Sequence, residues 1–69
     1  MGTISFSEQV KAIRTTLNLS QEELAHAIGV SFATVNRWEN GKTEPSKMAL
    51  TLLRALYNEK NLKIPGVEL

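Results

Sequence analysis

The sequence predicts an all-α fold, a compact bundle of four helices carrying one tight helix–helix corner. Three observations carry that expectation. Apolar residues recur at spacings of three and four along the chain. A serine stands ahead of each apolar stripe, where a helix start wants an oxygen that can accept from an orphan N–H. No stretch alternates apolar and polar residues for long enough to make a strand.

In the first helix Phe6, Val10, Ile13 and Leu17 form one stripe, and Ser5 with Glu8 has the spacing of a capping box. The second starts at Ser20, with Glu23 three residues on and Leu19 placed to staple onto Leu24. Its inner face is Leu24, Ala25 and Ile28, and Gly29 ends it. Only Gly29, Val30 and Ser31 precede the third helix, where Ser31 is the cap and Val30 repeats the staple spacing with Val35. That helix runs to about Asn40 and stops at Gly41. The fourth begins at Ser46, after Pro45, and carries Leu50, Leu53, Leu56 and Tyr57 to about Glu59. Residues 1–59 are read as one domain and residues 60–69, with Pro65-Gly66, as an extended or loosely attached tail.

Composition narrows the chemistry. The chain has 69 residues, with 42% apolar and 22% charged, which suits one folded domain near the lower size limit. It has no cysteine and no aspartate, and His26 is its single histidine, so neither a zinc site nor an Asp-based triad can be assembled. No phosphate-cradling glycine loop is present, and the expectation is a non-enzyme without a cofactor. No apolar run approaches ~18 residues, and Gly2 is not a myristoylation site because Phe6 stands where Ser or Thr is needed. A cytoplasmic protein is expected.

The corner around Gly29 has the form of a helix-turn-helix. On a wheel of ~100° per residue, Val35 and Trp38 mark the buried side of the third helix, and Ala33, Asn36, Arg37 and Asn40 lie opposite. Asn and Arg are the side chains that read adenine and guanine edges bidentately, and Phe32 on the flank could touch a thymine methyl. Trp38 is read as core, and His26 as plain surface. Thr34 and Lys47 are read as helix-start residues.

Here the chain resembles a known family. Leu19-Ser20-Gln21-Glu22-Glu23-Leu24-Ala25, Ile28-Gly29-Val30-Ser31 and Val35-Asn36-Arg37-Trp38-Glu39-Asn40-Gly41-Lys42, with Pro45-Ser46, are similar to the phage repressor and Cro-like (XRE-type) helix-turn-helix family. The resemblance covers about residues 6–57. It implies a lambda-repressor-like bundle of four or five helices whose third helix enters the major groove of double-stranded DNA. It implies that Gln21 meets the DNA backbone and supports base reading, and that Phe32, Ala33, Asn36 and Arg37 face bases. Asn40 and Lys42 would meet phosphate. Arg14 and Glu39 match positions that pair in the family, and both lie ~70° off their apolar stripes, which suits a half-buried ion pair. Glu44 departs from the basic residue that relatives carry and would repel phosphate. No clear fifth helix is visible.

Between Val30 and Arg54 the basic residues are Arg37, Lys42, Lys47 and Arg54, against Glu39 and Glu44. With Glu39 paired, that segment is a weak positive patch. One recognition helix covers few base pairs, so a homodimer on a palindromic site is expected, with spare apolar residues of the fourth helix and tail as the candidate contact. The leading reading is a small transcriptional regulator, a repressor in its simplest form. Two others stand beside it: an antitoxin or protein-interaction module that binds a toxin or effector, and the DNA-targeting domain of a longer DNA-modifying enzyme.

Overall fold

In the computed structural model the described residues are 4–42 and 45–69; Glu44 and the Met1-Gly2 start lie outside them. The elements are α1 (Phe6–Thr16), α2 (Gln21–Ile28), α3 (Phe32–Glu39) and α4 (Lys47–Glu59), with no strand among the described residues.

All four helices begin alike. Ser5, Ser20, Ser31 and Ser46 sit in extended backbone, and each hydroxyl accepts from the N–H three residues on. Only Ser20 closes a full capping box, its own N–H donating to Glu23 at 2.8 Å. Glu8 leaves the Ser5 N–H alone and lies 3.5 Å from the Ser5 hydroxyl instead, so the first cap is half of the expected box.

The endings share a pattern too. In each, an N–H reaches back five residues: Leu19 to Arg14, Val30 to Ala25, Lys42 to Arg37 and Leu62 to Tyr57, at 3.0–3.2 Å. Such a closure needs a left-handed residue just before the donor. Gly29 and Gly41 supply it for α2 and α3, at φ 80° and 70°. Asn18 and Asn61 supply it for α1 and α4, at φ 58° and 54°, because a short carboxamide tolerates that region.

The core is drawn from every helix. Val10 and Ile13 of α1, Leu24, Ala25 and Ile28 of α2, Val35 and Trp38 of α3, and Ala49, Leu53 and Leu56 of α4 are all buried. Phe6 meets Trp38 edge to face, with ring centroids 5.8 Å apart. The apolar stripes thus pin α3 against both α1 and α2 while its other side stays outside.

Residues 60–69 are not loosely attached. Leu62, Ile64, Val67 and Leu69 are half-buried against the core. The Ile64 N–H donates to the Tyr57 hydroxyl at 2.8 Å, and the Glu68 N–H to the Gln9 side-chain oxygen at 3.0 Å. Gln9, itself buried, donates to the Ile4 carbonyl at 2.8 Å and so ties both chain ends to α1. Most of the apolar side chains of α4 and the tail expected as a contact surface are packed instead. Leu56 and the tail are packed, Leu52 is half-buried, and Met48 is left 73% exposed.

Candidate nucleic-acid interface

The corner between α2 and α3 is set by local chemistry. Gly29 stops α2 in a conformation that costs an L-residue, and Ser31 restarts the chain two residues later. Val30 is half-buried between them. Because Val35 and Trp38 are buried, the helix periodicity turns the stripe at Ala33, Asn36, Arg37 and Asn40 away from the core. Ala33, Arg37 and Asn40 are exposed and Asn36 is partly so. Phe32, at the start of α3, is 50% exposed, an uncomfortable state for a large ring in water. Gln21, the first residue of α2, is half-buried, and Lys42, just past α3, is exposed. Thr34 turns back to Ser31, with 2.9 Å between the hydroxyls.

Behind this face lies an ion pair. Arg14 of α1 donates to both oxygens of Glu39, from Nε at 2.6 Å and from Nη2 at 3.0 Å. Its Nη1 donates to the Leu19 carbonyl, in the loop between α1 and α2, at 2.9 Å. The Glu39 side chain is only 2% exposed and that of Arg14 18%. Burial by itself would raise the Glu39 pKa; the hydrogen bonds from Arg14 and Gln21, with the charges of Arg14 and Lys11, outweigh it and hold the group below its ordinary 4.5. Glu39 is therefore an anion at neutral pH.

From Glu39 a chain of side-chain hydrogen bonds runs outward. Gln21 Nε2 donates to Glu39 Oε1 at 3.1 Å, Asn36 Nδ2 to Gln21 Oε1 at 3.0 Å, and Asn40 Nδ2 to Asn36 Oδ1 at 3.0 Å. The structure thus joins three of the seven residues expected to meet DNA, Gln21, Asn36 and Asn40, into one network with the ion pair, and leaves Phe32, Ala33, Arg37 and Lys42 outside it. Asn36 and Asn40 are four apart on one helix, a spacing at which side chains meet and which the sequence displays. The link from Gln21 to Asn36 spans two helices and has no such signal. A shallow groove between α3 and α4 places Arg37 and Met48 among its lining residues.

Among the described residues no group of His, Cys, Asp or Glu could hold a metal ion, and no helix is long and apolar enough to cross a membrane. What the face offers is donors, acceptors and one exposed cation on a helix narrow enough for a major groove.

Comparison with known proteins agrees with the helix-turn-helix corner. The chain is similar to the HTH-type transcriptional activator BcrR of Enterococcus faecalis, 33% identical over 55 residues that make up 80% of this chain and 27% of that protein. It is also similar to the type II methyltransferase M1.ScrFI of Lactococcus lactis subsp. cremoris, 42% identical over 50 residues, 68% of this chain and 13% of that protein. The chain thus spans less than a third of either relative. A helix-turn-helix family model matches residues 10–63, which takes in most of α1, the corner, α4 and the start of the tail. By that match and by its three-residue corner, the chain belongs to the XRE-type helix-turn-helix family.

Proposed function

We propose that the chain reads a specific sequence in double-stranded DNA by laying α3 in the major groove, as the DNA-binding part of a transcription regulator. The observation that carries this reading is the division of α3. Val35 and Trp38 anchor one side in the core, while Ala33, Asn36, Arg37 and Asn40 line the other with no acidic group among them. Arg37 is the candidate for a bidentate contact to guanine and Asn36 for one to adenine. Phe32 and Ala33 suit thymine methyl groups. Gln21 at the start of α2 meets the DNA backbone and supports the base-reading side chains, and Asn40 and Lys42 meet phosphate. The reading needs no cofactor. Binding by occlusion makes a repressor the simplest mode, in the cytoplasm, and a homodimer on half-sites ~34 Å apart gives the length of sequence one helix cannot. Selection from random duplex DNA tests it, with a palindromic consensus expected.

The likeness to a methyltransferase favours a second reading, in which this domain targets a longer DNA-modifying protein. Sequencing the complete reading frame and assaying its full product for base methylation on the selected duplex separates the two. Methylation supports the second, and none supports the first.

A further inference from the structure

Resting on that reading, the hydrogen-bond chain behind α3 assigns a role to a residue that DNA cannot reach. A carboxylate only accepts hydrogen bonds, whereas a carboxamide can present either end after a half-turn that changes little in shape. Glu39 takes hydrogen bonds from Arg14 on both oxygens and from Gln21 on Oε1. Gln21 must therefore present its NH2 to Glu39, which leaves its oxygen for Asn36. Asn36 must then present its own NH2 to Gln21, which leaves its oxygen for the NH2 of Asn40. Each carboxamide is oriented by the one before it, and the charge of Glu39 orients the first.

After these bonds Asn36 keeps one N–H and one lone pair, in a fixed order across its amide plane. Adenine in the major groove shows N7 as acceptor beside N6 as donor, so a bidentate contact is sensitive to that order. We propose that Glu39 is a positioning residue for base recognition: by imposing the direction of the Gln21–Asn36–Asn40 chain it sets which end of the Asn36 amide faces which base atom.

Glu39→Gln tests this because it keeps the shape and removes the constraint. Both oxygens of Glu39 face an Arg14 N–H, Oε2 from Nε at 2.6 Å and Oε1 from Nη2 at 3.0 Å, so the new NH2 takes the looser Oε1 site, where it gives up the Nη2 bond and faces Gln21. Gln21 then has to accept, Asn36 accepts from Gln21, and Asn40 accepts from Asn36. The whole chain reverses. Arg14→Lys serves as the comparison, since it weakens the two-pronged ion pair but leaves Glu39 charged and the direction intact.

Two readouts apply to the three proteins. In nitrogen-15 NMR of the free chain, wild type and Arg14→Lys should each show one slowly exchanging side-chain amide proton on Asn40, and Glu39→Gln should show none. In selection from random duplexes, Glu39→Gln should change the preferred base at one position by about tenfold or more with an unaltered salt slope, while Arg14→Lys keeps the wild-type consensus. An unchanged Glu39→Gln consensus, or a retained slow Asn40 proton in that variant, would overturn the proposal. If the variant does not fold, two fast Asn40 amide protons in wild type overturn it and one slow proton upholds the direction. Wild type enriching no sequence would sink the DNA reading, and the Asn40 signal would still decide the direction of the chain.

Discussion

Arg14 and Glu39, 25 residues apart, meet through two hydrogen bonds of 2.6 and 3.0 Å and join α1 to the end of α3. The pair is asymmetric, because the carboxylate is almost wholly enclosed and the guanidinium keeps an edge in water. Removing the arginine therefore strands a buried anion. Arg14→Met is expected to lower stability by about 2–3 kcal/mol, below the 3–5 kcal/mol of a fully buried pair because Arg14 is partly hydrated. Urea unfolding checks it; a loss under about 0.5 kcal/mol would mean the pair is screened like a surface bridge.

The same carboxylate makes stability depend on acidity. Its folded pKa lies below the ordinary 4.5, so its contribution is complete above that value and is lost as pH falls through the folded value. Thermal unfolding from neutral pH down to about pH 3 should show this fall. In Glu39→Gln the fall should be shallower over the same window. Equal slopes for both proteins would place the acid sensitivity elsewhere.

Arg37 and Lys42 should separate reading from holding. Arg37→Ala is expected to cost about 1–3 kcal/mol on the selected site and to relax one base position. Lys42→Ala should weaken all sequences alike and reduce the slope of log K against log salt by about one. Titrations at several salt concentrations distinguish them. Identical salt slopes and an unrelaxed consensus in Arg37→Ala would contradict the base contact.

Tyr57 anchors the tail by accepting from the Ile64 N–H. Tyr57→Phe removes that acceptor and should cost about 1 kcal/mol. Hydrogen exchange at Ile64 should quicken by about fivefold or more, with the Leu53 amide slowing or quickening no more than global stability requires. An unchanged Ile64 rate would show that the apolar side chains alone hold the tail.

The helices were legible because their signals are local. Serine caps, three–four spacing and the Gly29 corner each depend on residues within a few positions, and the four helices form where those signals lie. Asn18 and Asn61 carry no comparable stop signal, since an asparagine tolerates the left-handed region without requiring it. The packing of the tail is hidden from the sequence for a related reason. Pro65-Gly66 signals a turn, but the Gln9 side chain that accepts from the Glu68 N–H lies 59 residues away, and the Tyr57 hydroxyl meets the Ile64 N–H only because the chain folds back after α4. At the interface, the outward stripe of α3 follows from periodicity. The bonds linking Glu39, Gln21 and Asn36 depend on how α2 meets α3, and that angle is a property of the packed core.

The central claim is that α3 presents an ordered set of donors and acceptors to base edges. Selection of the wild-type chain on random duplex DNA, followed by affinity measurements at several salt concentrations, tests it most directly. The account predicts a short consensus, repeated as a palindrome, whose advantage over unrelated duplex persists as salt rises and non-specific binding falls away. Binding that fades equally for every sequence, with nothing enriched, would contradict it.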